Sequence, residues 1–553
     1  MTTWIPRAAA LAAVAALALA VAACTGGDDG VETAATPTGV ELSEHRFGEL
    51  KIAYDDGIDY LDPGLSYTTQ GWGVMLPVHL GLLTYSQEPG SDGAELIPAL
   101  AEDLPEISAD GLTYTLRLRE GRTYSDGTPV RASDFAATVE RLFRLDSPGA
   151  GFFTGIAGAD RYARTKQGSI RGIITDDADR TIEIQLRAPQ ADFLNILAMM
   201  FAALVPAGTP ADDQSTKRIP ANGPYMIERY VPDQIVSVVR NPRWEPIEGI
   251  PNGNPDRMTF NVVPDPGTAL ESVIEGENDY DFHPIPIERL SEVRRRYAER
   301  LKLYAPANTY YFFMDTRIAP FNRLAARQAV NYAIDRGAIA GLYGGLATPT
   351  QNVLPPAYPQ YEKIEMYPYD LERARRLVQQ SGTAGTTVTI WTSSRETLRK
   401  PSEYLRGALN RIGFKATVKV VDPAAYLPAL GDARTRAQIG ISNWFHDYPH
   451  PLNWFDALLN GNRIRPTNNY NFGHADVEAI NQRIEELKRE PELSDEVNEE
   501  WKEIERLVLE NALWAPIVNR TFTELFSSSM DLENCYVSHV LYQFLYASAC
   551  KKE

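Results

Sequence analysis

The chain has 553 residues, a formal net charge of −19, and 44% hydrophobic with 23% charged residues. This composition is typical of a soluble globular protein with three or four folding units, and the strong acidity argues against nucleic acid as a partner. The sequence has only seven histidines and contains no serine-hydrolase elbow, zinc-protease motif, phosphate-binding loop or Cys-x-x-Cys pair. The sequence therefore favours a binding protein over an enzyme.

The N-terminal segment has the features of an export signal. Arg7 precedes an apolar run from Ala8 to Ala23, which is followed by Cys24. Small residues before a cysteine are typical of a bacterial lipoprotein signal, so we expect residues 1–23 to be removed and Cys24 to be lipidated. The alternative is an uncleaved membrane helix, although the run of about 16 residues is shorter than the roughly 20 needed to span a bilayer. Residues 24–47 lack periodicity and are expected to form a flexible tether.

Alternating and helical patterns of apolar residues predict a mixed α/β chain. Strands are predicted at 49–54, 112–118, 182–186, 226–230, 235–240, 388–391, 415–421 and 439–441. Helices are predicted at 72–83, from 132 onward, and at 192–204, 321–341, 369–382, 404–412, 480–488 and 497–509. The strand, helix and strand within 388–421 imply a parallel pair.

Two cysteines remain once Cys24 carries lipid. Cys535 and Cys550 are an even pair in an exported chain, which predicts a disulfide, with two free thiols as the alternative. A bridge closing a loop of about 16 residues would stabilise the C-terminal segment by roughly 3 kcal/mol.

The predicted ligand site is the stretch 439–451, which reads IGISNWFHDYPHP. Its prolines remove backbone donors, so a strand is expected to end in a rigid loop. Trp444, Tyr448 and Trp454 offer flat apolar surfaces around Asp447, and an acid among aromatic walls suits a cation. The same aromatic residues could equally be ordinary core.

Two histidines flank Asp447 and raise the alternative of a metal site. His446 and His450 are four residues apart, a spacing that meets on one face of a helix. Pro449 lies between them and disfavours a helix, so we expect neither a metal nor a cofactor.

Seven short motifs occur in one order along the chain, and together they resemble the bacterial extracellular solute-binding proteins, family 5, of the peptide/nickel ABC importers. Each motif alone is common, but the ordered set covers nearly the whole mature chain. The motifs lie at 61–63 (LDP), 98–102 (PALAE), 110–119 (DGLTYTLRLR), 124–135 (YSDGTPVRASDF), 222–225 (NGPY), 327–336 (RQAVNYAIDR) and 444–451 (WFHDYPHP).

The resemblance implies a two-lobed α/β clamshell of the type II periplasmic-binding-protein class, with an additional subdomain on the first lobe. The implied division assigns lobe I to 48–87, 190–305 and 515–553, the subdomain to 88–189 and lobe II to 306–514. It also implies a monomeric, lipid-anchored protein on the extracytoplasmic face of the bacterial membrane. Such a protein would capture a dipeptide, an oligopeptide or another small zwitterionic solute and deliver it to a permease.

The resemblance also implies which residues bind the ligand. In peptide-binding members, the Asp of a Trp-x-x-Asp-Tyr motif pairs with the peptide's α-ammonium, and this motif falls on Trp444 and Asp447. The segment after Leu-Asp-Pro lines the cleft in that family. The implied binding residues are therefore Asn443, Trp444, Phe445 and Asp447, together with Tyr67, Thr68 and Thr69.

One position departs from the best-known oligopeptide binders. Where they offer an Arg to the peptide carboxylate, this chain has Ile441. Arg434 and Arg436 lie just upstream and are the candidate replacements, so recognition of the peptide C-terminus stays open.

Other functions remain as alternatives. Within binding proteins, the histidines favour a nickel chelate or haem as ligand, and the aromatic residues favour an oligosaccharide. Outside that class stand an exported hydrolase using Asp447 in acid–base chemistry, and a structural envelope lipoprotein.

Overall fold

Two large β-sheets organise the chain, and each is built from segments that are distant in sequence. The computed structural model describes residues 45–54 and 58–552. The predicted signal at 1–23, Cys24 and nearly all of the predicted tether lie outside these described residues.

The strands of the described residues are numbered in chain order. They are β1 (Phe47–Tyr54), β2 (Leu83–Tyr85), β3 (Leu96–Pro98), β4 (Glu106–Ile107), β5 (Thr113–Arg117), β6 (Ile173–Asp176), β7 (Thr181–Gln185), β8 (Tyr225–Val231), β9 (Ile235–Arg240), β10 (Pro255–Val262), β11 (Tyr280–Asp281), β12 (Leu301–Tyr304), β13 (Asn308–Met314), β14 (Ala347–Pro349), β15 (Thr387–Ser393), β16 (Lys415–Val421), β17 (Ile439–Phe445), β18 (Trp514–Arg520), β19 (Phe522–Phe526), β20 (Ser538–His539) and β21 (Gln543–Phe544).

The α-helices of the same residues are α1 (Thr69–Met75), α2 (Ala132–Arg144), α3 (Ala159–Thr165), α4 (Phe193–Ala198), α5 (Pro266–Glu275), α6 (Ile287–Arg296), α7 (Leu324–Ala333), α8 (Arg336–Gly341), α9 (Leu371–Gln380), α10 (Glu396–Ile412), α11 (Pro423–Leu430), α12 (Leu452–Leu459), α13 (Glu478–Leu487) and α14 (Asp495–Glu510). Within the described residues, no helix combines the length and apolar character that a membrane span requires.

The first large sheet has seven strands in the order β12-β19-β11-β1-β10-β9-β8. Its central strand β1 runs parallel to β10 and β11, and the other pairs are antiparallel. The predicted hairpin at 226–240 is confirmed as the β8–β9 pair. Ile52 and Phe260 pair across β1 and β10 and are both buried, which places a core on this sheet.

A smaller antiparallel sheet of order β4-β5-β7-β6 joins the first lobe. Helix α2 begins where the sequence predicts and packs its buried Phe135, Val139 and Leu142 toward this sheet. The buried residues of the small sheet and of the seven-stranded sheet form one continuous hydrophobic cluster. This region is therefore an appendage of the first lobe.

The second large sheet has six strands in the order β14-β18-β13-β17-β15-β16. Every residue of its central strand β13 is buried, and β17 and β18 flank that strand in antiparallel register. The predicted parallel pair at 388–421 is confirmed, with β15 parallel to β16 and helix α10 between them. A second hydrophobic cluster, made of residues between 307 and 518, surrounds this sheet.

The chain passes between the two large sheets at two described points, each only a few residues long. It leaves the first sheet after Tyr304 and enters the second at Asn308, and it returns between Arg520 and Phe522. The sequence-based division placed residues 515–520 with the first lobe, but they belong to β18, which pairs with β13 and β14 of the second sheet. The boundary differs because WAPIVNR is a buried strand that continues the second sheet. The rest of the predicted division stays a prediction.

Three predicted helices are shorter than their apolar patterns suggest. Helix α1 ends at Met75, because Pro77 lacks a backbone donor and Leu80 binds the buried Asn222 side chain instead. The segment predicted at 192–204 is helical only to Ala198 and continues as a buried 3-10 turn at 200–202.

The predicted helix at 321–341 is two helices. Ile334 has an extended backbone and ends α7, and the Asp335 side chain then accepts a hydrogen bond from Ala338 N to begin α8. The apolar pattern continues across this break because both helices bury residues on the same face.

The C-terminal segment is held by a disulfide between Cys535 and Cys550, whose Cα atoms lie 5.6 Å apart. Asp531 N also donates to the carbonyl of Cys550, which fixes the end of the chain against its own loop.

Candidate functional site

The loop after β17 carries Asp447 and is fixed by one buried amide side chain. Asn453 Oδ1, in the first turn of α12, accepts hydrogen bonds of 3.0 Å from both Asp447 N and Trp444 Nε1. Asn453 Nδ2 donates in turn to Asp447 Oδ2 at 2.8 Å. The orientation of the carboxylate is therefore set by the residues around it before any ligand arrives.

Tyr67 reaches the same carboxylate from the first lobe. Its hydroxyl donates a 2.7 Å hydrogen bond to Asp447 Oδ2. The backbone that carries Tyr67 is organised by Asp59, whose carboxylate accepts from Ser66 Oγ, Tyr67 N and Thr68 Oγ1 at 2.7–2.8 Å. The turn after Leu-Asp-Pro thus presents this phenol to the second lobe.

An aromatic cluster encloses the Tyr67–Asp447 pair. The Tyr67 ring lies 5.1 Å from that of Phe201, 5.3 Å from Tyr470 and 6.2 Å from Trp444. Trp444 and Tyr470 are themselves 5.7 Å apart. These edge-on and tilted contacts join rings from both lobes, so the half-buried acid lies in a largely apolar setting.

Burial changes the protonation of this site. Loss of hydration raises the pKa of Asp447 to about 6, although the hydrogen bonds from Asn453 and Tyr67 favour the charged form. Burial and the neighbouring carboxylate also raise the pKa of Tyr67 well above its usual value, so the phenol stays a donor. Among the described residues, no Lys or Arg forms an ion pair with Asp447. A cation that entered here would therefore meet a carboxylate with no protein counter-charge.

The two lobes are closed on each other around this site. Tyr448 Oη donates to Asp192 Oδ2 at 2.6 Å, and Ala191 N donates to Lys488 O at 2.8 Å. Ala191 and Asp192 belong to the first lobe, whereas Tyr448 and Lys488 belong to the second, so both contacts join the two lobes. The structure is therefore of the closed form, with the acid between the lobes.

The structure brings together only part of the residue set implied by the sequence. Tyr67 and Trp444 surround Asp447, as described above. Thr68 instead caps α1 and binds Asp59, and the exposed Thr69 makes a hydrogen bond to its neighbour Gln70. Asn443 and Phe445 alternate with Trp444 along β17 and point to the opposite face, where Phe445 packs 5.7 Å from the Phe522 ring.

Arg434 and Arg436 are not part of this site. Both are exposed, and Arg434 pairs with Asp432. They precede β17 whereas Asp447 follows it, and a seven-residue strand is about 20 Å long. The structure therefore does not support them as replacements for the arginine that Ile441 lacks.

The two histidines near Asp447 have structural roles. His446 Nδ1 lies 3.1 Å from Tyr358 Oη and its Nε2 lies 3.2 Å from the Val540 carbonyl, which fixes Nε2 as the protonated nitrogen. His450 Nδ1 accepts from Leu452 N at 3.1 Å. Burial lowers the pKa of both imidazoles to about 4, so both are neutral. Their described contacts do not form a metal centre.

Three residues of the site are absent from the sequence-based set, namely Asn453, Tyr470 and Phe201. Asn453 stands near the start of a helix, where Asn often makes local hydrogen bonds. That position is the one feature of the sequence that points to a role for it. No feature of the sequence points to Tyr470 or Phe201, because their approach to Tyr67 depends on how distant loops fold.

Two α/β lobes closed over a half-buried acid define a solute-binding protein of the type II periplasmic-binding class, with an appended subdomain on the first lobe. Residues 95–465 match the model of the bacterial extracellular solute-binding proteins, family 5 Middle. This match covers well over half of the chain, which therefore belongs to that family, the substrate-binding components of ABC importers. They are binding proteins rather than enzymes.

Similar proteins of known name cover most of the chain. The glutathione-binding protein GsiB of Escherichia coli O1:K1 / APEC is 28% identical over 408 residues, 72% of this chain and 74% of that protein. Heme-binding protein A of Haemophilus influenzae is 28% identical over 448 residues, 77% of this chain and 79% of that protein. Among solved structures, the clavulanic acid biosynthesis oligopeptide binding protein 2 has a TM-score of 0.81 at 26% identity, covering 93% of this chain and 97% of that one.

Proposed function

We propose that this protein is the lipid-anchored receptor of its importer, which captures a peptide or a similar small zwitterionic solute between the two lobes and delivers it to the permease. In this proposal, Asp447 pairs with a primary ammonium of the ligand. Tyr67, Trp444 and Tyr470 provide the apolar walls around that ammonium.

One observation carries the proposal: Asp447 is a carboxylate in an aromatic enclosure with no described cation paired to it. A buried charge is costly unless it is paired and hydrogen-bonded. Two donors already bind Oδ2, whereas Oδ1 accepts no hydrogen bond from the described residues. The site is thus prepared for one positively charged donor at Oδ1.

The names of the similar proteins include several ligands, and the presence of Asp447 favours some of these ligands over others. Glutathione and oligopeptides carry an ammonium at neutral pH, whereas haem and neutral oligosaccharides do not. His446 and His450 already use Nδ1 in hydrogen bonds within the protein, which argues against them as axial ligands of haem iron. The geometry therefore favours a peptide-like ligand.

The membrane anchor rests on the sequence. Cys24 directly follows an apolar run with small residues at its end, which is the pattern of a lipoprotein signal. A receptor that delivers its ligand to a permease gains from being kept at the membrane surface.

Native mass spectrometry tests the ligand class. The purified protein, first unfolded and refolded to remove endogenous ligand, is mixed with a pool of di- to pentapeptides and glutathione. We expect retention of one or more components and a rise in melting temperature, because a ligand at a hundredfold excess over Kd stabilises by about 2.7 kcal/mol.

Two variants give this test its contrast. Asp447→Asn should lose the retained component, whereas Asp432→Asn, which changes an acid paired with Arg434 before β17, should keep it. Retention of haem or a neutral sugar, with every peptide rejected, would replace the proposed ligand class.

A further inference from the structure

The loop between α12 and α13 brings an arginine to the boundary between the lobes. Arg465 lies two residues beyond the 3-10 turn Gly461–Arg463 and is half-buried. Its guanidinium rests against the backbone of Gly151 in the subdomain. A Cβ atom built on Gly151 would lie 2.5 Å from Arg465 Nη2, closer than real contacts allow. The absence of a side chain at Gly151 therefore makes room for this guanidinium.

Arg465 has no partner among the described residues, although its neighbours do. Arg463 Nη2 donates to the Gly151 carbonyl at 3.3 Å, and its Nε lies 3.5 Å from Asp456 Oδ2. Lys488 binds that same Asp456 oxygen at 2.9 Å. Asp456 is thus neutralised by two other cations, and within residues 45–54 and 58–552 Arg465 forms no hydrogen bond or ion pair.

Burial lowers the pKa of Arg465 to about 10, which leaves it charged at neutral pH. A charged guanidinium that is partly removed from water and lacks an anion is unfavourable in the empty protein. Such a group gains most from a planar anion, because its parallel N–H bonds match the two oxygens of a carboxylate.

Two paths of contact place Arg465 beside the enclosure of Asp447. The first runs through the short 3-10 helix Pro148–Gly155, where Gly149 packs directly against Phe201, the ring 5.1 Å from Tyr67. Gly149 and Gly151 are about 5 Å apart on that helix.

The second path runs through Tyr470, which follows Arg465 in the same loop. Its ring lies 5.3 Å from Tyr67. Burial raises the pKa of Tyr470, the charge of Asp447 raises it further, and the charge of Arg465 lowers it. The charges of Asp447 and Arg465 thus both act on the Tyr470 hydroxyl.

We propose that Arg465 is the carboxylate-binding residue of the cleft, so that the ligand is a zwitterion held by its ammonium on Asp447 and by its carboxylate on Arg465. This inference rests on the proposed function. It also accounts for Ile441, which is fully buried in β17 and offers no charge to a ligand. In this chain the positive charge comes from the loop after α12 instead.

Matched peptide pools provide the probe. One pool contains tripeptides with free carboxylates, and the second contains the same tripeptides as C-terminal amides. Wild-type protein should retain members of the acid pool at least about 30-fold more tightly than their amides, because amidation leaves the half-buried guanidinium unpaired once the lobes close. Retention is read by native mass spectrometry and affinity by calorimetry.

Three variants locate the effect. Arg465→Gln should bind acids and amides equally, with the acid weakened by at least about 30-fold. Gly151→Ala should do the same while keeping Arg465, because the added methyl displaces the guanidinium; the φ angle of Gly151 is not in the left-handed range, so the backbone accepts alanine. Arg434→Gln is the control and should behave as wild type.

The outcomes separate this inference from the proposed function. Equal retention of both pools by the wild-type protein overturns the role of Arg465 and leaves the peptide-binding function intact. An unchanged preference for acids in Arg465→Gln, with native melting behaviour, overturns it as well. Rejection of both pools and of glutathione removes the proposed function and the inference together.

Discussion

The hydroxyl of Tyr67 donates a 2.7 Å hydrogen bond to Asp447 Oδ2, and this single bond connects the first lobe to the acid of the second. Around it, rings from both lobes form a largely apolar enclosure, while Oδ1 is left without a described donor. The chemistry of the cleft is therefore centred on one carboxylate.

Replacing Asp447 with Asn should weaken ligand binding by roughly 2–5 kcal/mol, because a buried ammonium loses its counter-charge. N-acetylation of a peptide ligand should cost a similar amount. The two losses should not add, since each deletes the same pair. Calorimetry on the four combinations of protein and ligand measures this. Full additivity, or an unchanged affinity of the Asn variant, would mean that the ammonium binds elsewhere.

Ligand affinity should fall as the pH drops through about 6. Burial raises the pKa of Asp447 to about 6, so the free protein takes up a proton there, whereas a bound ammonium holds the carboxylate ionised. The affinity then has its full value above pH 7 and decreases by up to tenfold per pH unit below pH 6. Titrations from pH 5 to pH 8 check this, and Asp447→Asn should give a flat profile. An affinity that increases on acidification contradicts the assignment.

Glu505 provides a test of stability away from the cleft. It accepts hydrogen bonds from Val353 N and Leu354 N, and burial raises its pKa to about 7. Because the folded state then binds a proton more tightly than the unfolded chain, its contribution to stability is present at low pH and is lost as the pH rises from about 4.5 to 7.

The variant Glu505→Gln keeps an acceptor oxygen and removes the buried charge. It should therefore raise the free energy of unfolding at pH 8 by about 1–3 kcal/mol and change it little at pH 5. Urea unfolding at both pH values measures the difference. Equal effects at the two pH values would show that the carboxyl is not protonated when buried.

Attachment to the membrane should depend on Cys24. Cys24→Ala should release the protein from the membrane fraction, and intact mass spectrometry should find no diacylglycerol adduct. Cys535→Ser is the matched control, since its partner Cys550 joins it in a disulfide and neither residue is needed for an anchor. A Cys24→Ala protein that still carries lipid would refute the signal assignment.

The sequence predicted those features that local patterns control. The β15–α10–β16 unit has alternating strands and an amphipathic helix, and the structure confirms it. Asp447 stands out in the sequence because proline, tryptophan and tyrosine surround it within a dozen residues, and its role in binding stays a prediction. The break between α7 and α8 was missed because apolar periodicity continues through Ile334 and Asp335 although the backbone does not.

The remaining parts of the site depend on contacts between distant segments. Arg465 is one charged residue among many in a polar loop, and nothing in its neighbourhood marks it until Gly151 folds against it. Arg434 was a candidate because it is close in sequence to β17. The seven residues of that strand, however, separate it in space from Asp447. Sequence distance is a poor guide to position wherever a strand or a lobe boundary intervenes.

The hydrogen bond between Tyr67 and Asp447 joins the two lobes and needs no solute. It therefore stabilises a closed form of the empty protein, and molecules in that form are not available to ligand. The apparent dissociation constant is the intrinsic constant divided by the fraction of molecules that is open. The affinity for every solute thus depends in part on how firmly the empty protein holds itself shut.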